Sequence, residues 1–421
     1  MDSTEREGLR PKGNVPNLRF PEFQEEWEES TIGEEFDLYS GNTPSRLNKE
    51  HFNGAINWIS SGELKEHYIA YTKEKISDEA AKNLKMLPIG TFVIAIYGLE
   101  ADGVRGTGSI TKTEATISQA CMAFISKGKV QNEFLYSWYK KHGNVIGIRY
   151  AQGTKQQNLS YDIIEKFKIA YPKFQEQEKL NKFIALLDER IATQNKIIED
   201  LKKLKSAIVE KVFCSPNQEY PMCRIEGFEH ALSTYKMSDF SSRIATKNKD
   251  SKCSLVLTIA AQYGLVNQES FFNKSVASEN LTGYYLLHKG EFAYNRSYSA
   301  GYDWGAVKRL ENYDEGVLST LYICFKINET IVDSDYLAYY FESTKWHRGL
   351  SDIAGEGARN HGLLNVSMAD YFNTKHRFPV IEEQKAIAKI LNAITEKERK
   401  ATLLGGCFQK QKQYLLRQMF I

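Results

Sequence analysis

The chain repeats itself at a constant spacing, and this repeat constrains the fold more than any other feature. The segment Tyr171–Glu178 resembles Phe378–Lys385, and both contain a proline followed by a Glu-Gln pair. Pro172 and Pro379 lie 207 residues apart (379 − 172), and the same offset continues without a gap to Phe420. A repeat of this length indicates a whole structural module rather than a short solenoid unit.

Farther upstream the correspondence continues with small insertions, as expected where loops differ in length within one fold. The paired segments are Asn158–Ser160 with Asn365–Ser367, Phe134–Tyr139 with Tyr336–Phe341, Ile117–Phe124 with Leu318–Phe325, and Leu87–Phe92 with Leu287–Phe292. Chance could explain one such pair, but it does not explain an ordered series. The sequence therefore predicts one module used twice.

Each copy changes character from β-type to helical along its length. Short β-type runs bounded by Gly, Asn and Asp come first, such as Thr91–Tyr97 and Leu255–Ala260. A long helix follows, and Pro172 or Pro379 stands just before it, where a fixed φ and a missing N–H cost little. The first helix is predicted from about Gln175 to Phe213.

Apolar residues in both helices recur by threes and fours, which is typical of a coiled coil. A helix of this length would measure about 57 Å at 1.5 Å per residue, more than a small domain needs. We expect the two helices to pair as an antiparallel coiled coil, weakened and open to a kink at Glu398 and Gly405–Gly406; a coiled coil for oligomerisation alone is the alternative. The residues predicted to pair are Leu180, Ile184, Leu187, Ile191, Ile198, Leu201, Ile208, Ile387, Leu391, Ile394, Phe408 and Leu415.

The predicted fold class is α+β, with two tandem globular α/β domains, each followed by a long α-helix, related by an internal pseudo-twofold repeat. The predicted ranges are an N-terminal tail at 1–20, a first domain at 21–172, a central helix at 173–214, a second domain at 215–378 and a C-terminal helix at 379–421.

Composition limits the class of function. A net charge of +2 excludes a uniformly basic coat but leaves room for local basic patches. Residues 1–13 lack the apolar stretch of a secretory signal, and no apolar run is long enough to span a membrane. The six cysteines are scattered without C-x-x-C spacing, so we expect no disulfide framework, no zinc cage and a cytoplasmic location.

Motifs that would carry chemistry are missing. No two prolines are adjacent, so the Asp/Asn-Pro-Pro-aromatic turn of an amino-methyltransferase is absent, and no phosphate-binding P-loop occurs. Asp102–Gly108 is interpreted as a flexible loop rather than a cofactor cradle, and the His/Glu groups at Glu63–His67 and Gly355–His361 as solvated turns rather than metal sites. The sequence therefore predicts no catalytic residue, no metal and no bound cofactor.

Polar loops at equivalent places in the two copies are candidates for reading double-stranded DNA. Arg, Asn, Gln, Ser and Thr read base edges and bind phosphates. Any one of these loops has the composition of an ordinary surface, so the signal is their pairing across the repeat. The candidates are Asn42, Thr43, Ser45, Arg46, Tyr97, Arg105, Lys155 and Gln156 in the first copy, and Arg243, Asn295, Arg296, Tyr298, Lys308, Arg309, Arg359 and Asn360 in the second.

Taken together, these features resemble the specificity subunits of type I restriction–modification systems. The motifs that carry the resemblance are the Trp27–Arg46 run, the Gly-Thr-x-Gln-x-Asn-Leu-Ser run at Gly153–Ser160, and Pro-x-x-x-Glu-Gln before each helix. The resemblance spans nearly the whole chain from about Pro21. The second copy departs from the pattern, because no Trp matches Trp27 and Gly357–His361 replaces the Gly-Thr-x-Gln run.

The resemblance implies a non-catalytic subunit with two target-recognition domains, each binding one half of a split DNA sequence. The helices would set the spacer and dock two methyltransferase subunits, which bind S-adenosylmethionine and methylate an adenine in each half-site. Two translocase–nuclease restriction subunits, using ATP and Mg, would add cleavage. The alternatives are a coiled-coil adaptor that binds only proteins, and a stand-alone nuclease or methyltransferase, which the missing motifs contradict.

Overall fold

A computed structural model describes residues 13–101, 103–153, 157–274, 280–297, 301–353, 364 and 366–421. The chain forms two compact units. The first comprises the residues up to Asn195 together with Leu403–Ile421, and the second comprises Lys196–Thr402. Both divisions fall inside the two long helices, so each unit contains one part of each helix. The domain ranges expected from the sequence, which end where these helices begin, stay a prediction.

The first half of the chain is mixed α and β. In chain order its strands and helices are β1 Glu28–Thr31, α1 Ile32–Glu35, β2 Phe36–Ser40, β3 Ile56–Ile59, β4 Tyr68–Ile69, β5 Lys75–Ile76, α2 Asp78–Ala81, β6 Phe92–Ala95, β7 Gly108–Thr111, β8 Thr116–Ile117, β9 Cys121–Ser126, α3 Asn132–Tyr150, α4 Tyr161–Ile164, β10 Lys168–Tyr171 and α5 Phe174–Val212.

The second half repeats this succession with local differences. Its elements are β11 Ser233–Lys236, α6 Met237–Phe240, β12 Ser241–Arg243, β13 Leu257–Ala260, β14 Gly264–Asn267, α7 Gln268–Phe272, β15 Tyr285–His288, β16 Phe292–Asn295, β17 Ala306–Arg309, β18 Glu315–Leu318, β19 Ile323–Ile327, α8 Ser334–Tyr340, α9 His347–Ser351, α10 Met368–Asn373, β20 Lys375–Phe378 and α11 Ile381–Met419.

The central sheet of the first unit has the strand order β2-β9-β6-β7-β4. Every residue of β6 is buried, because α3 covers this strand: the ring of Phe92 meets Tyr136 and Tyr139 edge-on. Strands β2 and β6 both pair antiparallel with β9. They therefore run in the same direction and end at the same edge of the sheet.

The second unit has a central sheet of order β12-β19-β16-β17. Strands β12 and β16 both pair antiparallel with β19, so they too end at one edge. In each unit a short antiparallel strand pair precedes the long helix, β1 with β10 and β11 with β20. The four strands of the second sheet thus follow the same order and directions as four strands of the first sheet, which has β4 in addition. An α+β fold with long helices is therefore confirmed.

The predicted seam coincides with the less exposed positions of both long helices. In α5 the residues named above, together with Gln194 and Lys205, are buried or half-buried, and most of their neighbours are exposed. In α11 the same spacing continues through Glu398, Ala401 and Gly405. The expected weak point at Gly405–Gly406 does not interrupt the element, since α11 is one helix from Ile381 to Met419. Gly405 itself is buried at a seam position.

Within the first unit, the start of α5 packs with the end of α11. Leu180 and Ile184 share a core with Leu416 and Met419. Farther along α5, Lys412 of α11 donates to Asp188. Within the second unit, Val209 and Phe213 share a core with Ile387 and Leu391. Among the described residues, no helix combines the length and apolarity that a membrane span requires.

A buried Arg–Glu–Gln group fixes the start of each long helix. In the first unit, Arg19 donates through Nε and Nη2 to the two oxygens of Glu176, at 2.7 and 2.6 Å. Next to it, Gln177 is fully buried, and its Nε2 donates to the carbonyls of Lys129 and Pro172. Buried polar side chains require such partners, so this group fixes the register between helix and domain.

The second unit builds the same group. Arg224 donates through Nε and Nη2 to Glu383, at 2.9 and 2.7 Å. Gln384 is buried, and its Nε2 donates to the carbonyls of Ile331 and Pro379. The Glu-Gln pair was visible in the sequence as part of a repeated motif, but its arginine partner was not, because Arg19 lies 157 residues away.

Candidate nucleic-acid interface

The loops selected from the first copy meet at one edge of its central sheet. Asn42 follows β2, and its backbone amide donates to the carbonyl of Ile117 at 3.1 Å. Ile96 follows β6, and its amide donates to the carbonyl of Ala120 at 2.9 Å. Both strand ends therefore contact the same turn before β9. This places the Asn42–Arg46 loop and Tyr97 at one edge of the sheet.

The described end of the Gly153–Ser160 run, residues 157–160, joins this edge as well. Leu159 donates its amide to the carbonyl of Ile96 at 2.9 Å, and Tyr97 forms a β-bridge with Asn158. Arg105 donates through Nη2 to Oε1 of Gln157 at 3.2 Å. Its aliphatic part lies against Gly147 of α3, where an added Cβ would come within 2.6 Å of Arg105 Cγ. Arg105 is therefore partly structural.

The second unit repeats this arrangement. Arg243 ends β12 and Asn295 ends β16, at the edge that these strands share. The carbonyl of Arg296 accepts from the amide of Leu364 at 2.9 Å, as Ile96 does from Leu159 in the first unit. The guanidinium of Arg296 donates to the carbonyls of Leu321 and Val366, so this side chain holds loops together.

Arg46 is exposed but already paired. Its guanidinium donates twice to Glu74, at 2.6 and 2.8 Å, and lies 4.4 Å from the centre of the Phe52 ring. The ion pair lowers the pKa of Glu74 through its hydrogen bond to Arg46. Because this ion pair is exposed to solvent, it contributes little to stability. A phosphate can therefore compete with Glu74 for the guanidinium of Arg46.

Arg243 and Lys247 form a cationic pair around one ring. Arg243 Nη2 donates to the hydroxyl of Tyr285 at 2.9 Å. Lys247 Nζ lies 3.8 Å from the centre of the same ring and donates to the carbonyl of Gly283. Within the described part of the chain, no carboxylate forms an ion pair with either cation. Arg243 is among the residues predicted from the sequence. Lys247 is not, because it does not belong to a motif that recurs in both copies.

Lys308 and Arg309 lie away from this edge, so grouping them with Asn295 and Arg296 is wrong. Strand β17 runs antiparallel to β16, and Arg309 is paired with Phe292, at the start of β16. Arg309 is only 17% exposed and forms ion pairs with Glu311 and Asp335. Burial opposes its charge, but these two carboxylates outweigh that effect and raise its pKa. Burial also lowers the pKa of Lys308.

Of the remaining candidates, some lie in described loops and the others lie outside the described residues. Asn42 and Ser45 are exposed and Thr43 is half-buried in the loop after β2, where Asn42 Oδ1 accepts from the amide of Thr43. Asn295 Oδ1 accepts from the amide of Ser297. The candidates Lys155, Gln156, Tyr298, Arg359 and Asn360 lie outside the described residues, as do Asp102 and His361.

Groups that were considered for metal binding are arranged for other contacts. No cluster of three His, Cys, Asp or Glu side chains in the described ranges is placed to hold a metal ion. The interpretation of His67 as part of a solvated turn is wrong, since its side chain is 11% exposed and stacks between Tyr68 and Tyr136. Glu66, beside it, is exposed.

Comparison with known families identifies the first part of the chain. Residues 24–203 match the family described as type I restriction modification DNA specificity domain. This range covers the first central sheet, the candidate edge and most of α5. The match ends inside α5, before the second copy begins.

Two curated relatives come from Methanocaldococcus jannaschii. The type I restriction enzyme MjaIX specificity subunit is 26% identical over 194 residues, which is 45% of this chain and 44% of that protein. The type I restriction enzyme MjaVIII specificity subunit is 24% identical over 198 residues, which is 47% of this chain and 43% of that protein. The matched part thus spans less than half the length of these relatives.

Solved structures resemble the chain over nearly its full length. The S subunit of a type I restriction–modification system from M. genitalium covers 97% of this chain and 99% of its own, with a TM-score of 0.55 and 14% identity. A second solved structure comes from work on the complex assembly and conformational transition of the type I R-M system. It covers 93% of this chain and 96% of its own, with a TM-score of 0.55 and 13% identity.

At these identities the structural similarity concerns the fold, whereas the domain match and the two relatives concern the family. All of them point the same way. Residues 24–203 are therefore similar to the type I restriction modification DNA specificity domain, and the predicted resemblance of the chain to the specificity subunits of type I systems is confirmed.

Proposed function

We propose that this chain is the DNA sequence-specificity subunit of a type I restriction–modification complex, and that each unit reads one half of a bipartite site. The observation that carries this proposal is the shared edge in each unit, where the loops after β2 and β6, or after β12 and β16, come together. Side chains at one edge contact a single short stretch of duplex, as base reading requires.

Two half-sites follow from two copies of one module. The backbone amide of Gln131, two residues before Glu133, donates to Oε1 of the buried Gln177 at 2.9 Å. The backbone amide of Asp333, two residues before Asp335, donates to Oε1 of the buried Gln384 at the same distance. The glutamines lie 207 residues apart (384 − 177) and their donors 202 (333 − 131), so the same contact recurs in the same order along the chain, which supports an internal duplication. Because the edge residues differ between the copies, each unit would read a different sequence, and the whole site would be asymmetric.

The long helices would set the spacer between the half-sites. The contact order in the first unit, with Leu180 near Leu416 and Asp188 bonded to Lys412, supports antiparallel pairing of α5 with α11. A helix of 39 residues measures about 58 Å at 1.5 Å per residue. At 3.4 Å per base pair this sets an upper limit of about 17 base pairs between half-site centres.

Partner subunits would supply the chemistry. Two methyltransferase subunits would dock on the helices, bind S-adenosylmethionine and flip the target adenine out of the duplex, while this chain holds the flanking bases. Two restriction subunits with ATP and Mg would add translocation and cleavage. This chain would bind none of these cofactors and would work in the cytoplasm.

A methylation map tests the proposal. DNA is sequenced for methyladenine from cells that express the chain with its methyltransferase partner, with and without exchange of residues 217–377 for another such domain. We expect a split adenine motif of which one half changes on exchange. The control is a chain in which the gene segment for residues 217–377 carries synonymous codons, so that the amino-acid sequence is unchanged. An unaltered motif, or methylation independent of the chain, would favour the adaptor function instead.

A further inference from the structure

His67 connects the bend before β4 to two helices of the first unit. Its Nε2 lies 2.8 Å from Oε2 of Glu133 on α3, and its Nδ1 lies 3.3 Å from Oδ2 of Asp188 on α5. Asp188 in turn accepts from Lys412 of α11. A single imidazole thus has a carboxylate at each ring nitrogen, and the chain of contacts runs from a sheet element through α5 to α11.

The surroundings hold the ring in this place. Tyr68 and Tyr136 stack on its two faces, with ring centres 4.1 and 4.0 Å away and planes nearly parallel. The hydroxyl of Tyr68 also donates to Glu133 at 3.1 Å. The ring therefore cannot turn to present one nitrogen to both carboxylates without losing its stacking.

Only the protonated ring is favourable at both carboxylates. It donates from Nε2 to Glu133, and its positive charge faces Asp188, whose Oδ2 lies 3.3 Å from Nδ1 as an ion pair without an aligned hydrogen bond. An imidazolium donates from both nitrogens, whereas a neutral imidazole has one N–H and one lone pair. After deprotonation, one of the two carboxylates would face a lone pair in a mostly buried place, which is unfavourable. The geometry itself therefore makes this connection depend on a proton.

Other charged groups act on the same site. Lys140 of α3 is largely buried nearby, and burial followed by Lys412 lowers its pKa to about 8. Lys112 lies 4.0 Å from the centre of the Tyr68 ring. Exposed Glu66 is the residue before His67. Burial disfavours the charged form of His67, but Asp188 and Glu133 together outweigh it and raise its pKa above 6.5.

The second unit provides an internal comparison. Asp335 takes the place of Glu133, since each stands two residues after the amide that donates to the buried glutamine. The cation facing Asp335 is Arg309, at 2.7 Å, and Asn392 of α11 donates to its other oxygen. Arginine stays charged at any physiological pH. The two units thus use a titratable cation and a permanent cation at equivalent carboxylates.

We infer that His67 is a proton-dependent positioning residue that holds the β4 region of the first unit to α3 and α5, and that this contact weakens when His67 loses its proton. In the second unit the equivalent carboxylate is held by Arg309, so its contact persists through the same pH range.

The contact is tested on the full chain without DNA. The Cε1–H signal of His67 is followed by NMR in histidine-labelled protein and assigned by its loss in His67→Asn. We expect a midpoint above 6.5 that falls by roughly one pH unit or more in Glu133→Gln. Glu66→Gln is the matched control, because this exposed carboxylate faces neither ring nitrogen. A midpoint at or below 6.5, or one that Glu133→Gln leaves unchanged, would overturn the inference.

Hydrogen exchange reports the positioning. After correction for intrinsic rates, protection of β4 should fall as pH rises through the His67 midpoint, while protection of β17 should not. His67→Arg should make the protection of β4 independent of pH, like that of β17. If arginine does not fit between the two tyrosine rings, Glu133→Gln replaces His67→Arg as the test variant. Equal pH dependence of β4 and β17 would overturn the inference.

Discussion

Glu176 receives two hydrogen bonds from Arg19, at 2.7 and 2.6 Å, at a place where both side chains are largely shielded from water. Removing the carboxylate would leave a guanidinium buried without its partner. We expect Glu176→Ala to destabilise the first unit by about 3 kcal/mol, the lower part of the range for broken buried pairs. Urea unfolding of the full chain measures this change.

Glu178→Ala is the matched control, because Glu178 is exposed on the same helical turn. It should alter stability by less than about 0.5 kcal/mol. Equal effects of the two substitutions would show that the Arg19 pair contributes nothing specific.

Leu391 tests the seam of α11, since it is completely buried in the core that also contains Val209 and Phe213. Replacing it by Ala removes buried methyl groups and leaves a cavity, at a cost of about 2–5 kcal/mol. Lys389→Ala, on the exposed side of the same helix, is the control. Thermal unfolding of both variants measures the difference, and a tolerated Leu391→Ala would contradict the seam.

Arg243 and Lys247 test the nucleic-acid edge of the second unit. If they bind phosphates, Lys247→Met should weaken binding of the assembled complex to all sequences and reduce the salt slope by about one. If Arg243 reads a base, Arg243→Ala should cost about 1–3 kcal/mol and relax one position of the site. Fluorescence anisotropy across a salt series separates these outcomes.

The control for that measurement is Arg309→Ala. Arg309 lies at the opposite end of its sheet and is held by Asp335 and Glu311, so we expect it to affect stability before affinity. Unchanged DNA binding in both Arg243→Ala and Lys247→Met would remove this edge from the interface.

His376 makes the second unit sensitive to acid. It is fully buried between Tyr340 and Thr374, and burial lowers its pKa to about 3. Because the folded value lies below the unfolded value of about 6.5, protons bind preferentially to the unfolded chain. Stability is therefore fully present above pH 6.5 and falls by up to about 1.4 kcal/mol per pH unit below it.

His376→Leu should flatten this dependence, although it leaves the Tyr340 and Thr374 hydroxyls without their partner and lowers stability at pH 7.5. The first unit has Ile169 at the corresponding position, 207 residues earlier, so it lacks this source of acid sensitivity. Unfolding free energies from pH 4.5 to 7.5 check the slope. Identical slopes for the wild type and His376→Leu would contradict the assignment.

Sequence predicted the features that depend on local periodicity. The spacing of Leu180, Ile184 and Leu187 identifies the buried side of α5, because helical geometry alone decides which positions share a side. The helical pattern also continues through Gly405. Glycine lowers helix propensity, but burial at the seam outweighs this preference within a long helix.

Contacts between distant parts of the chain could not be predicted in the same way. The sequence gives Arg46 no visible partner, because Glu74 lies 28 residues away in a separate loop. The pairing of loops across the repeat groups Arg309 with Asn295, but the antiparallel turn to β17 places Arg309 at the other end of the sheet. Strand direction, which composition does not encode, decides which polar residues can act together.

The buried glutamines explain how both units keep the same joint between domain and long helix although their surrounding sequences differ. Within the described ranges, the side chains of Gln177 and Gln384 bond only to main-chain atoms, from Lys129, Gln131 and Pro172 in one unit and from Ile331, Asp333 and Pro379 in the other. Main-chain groups are present whatever side chain a residue carries, so mutation at most of these positions leaves the joint intact. Such a joint keeps the same architecture at the start of both long helices while the side chains around it differ.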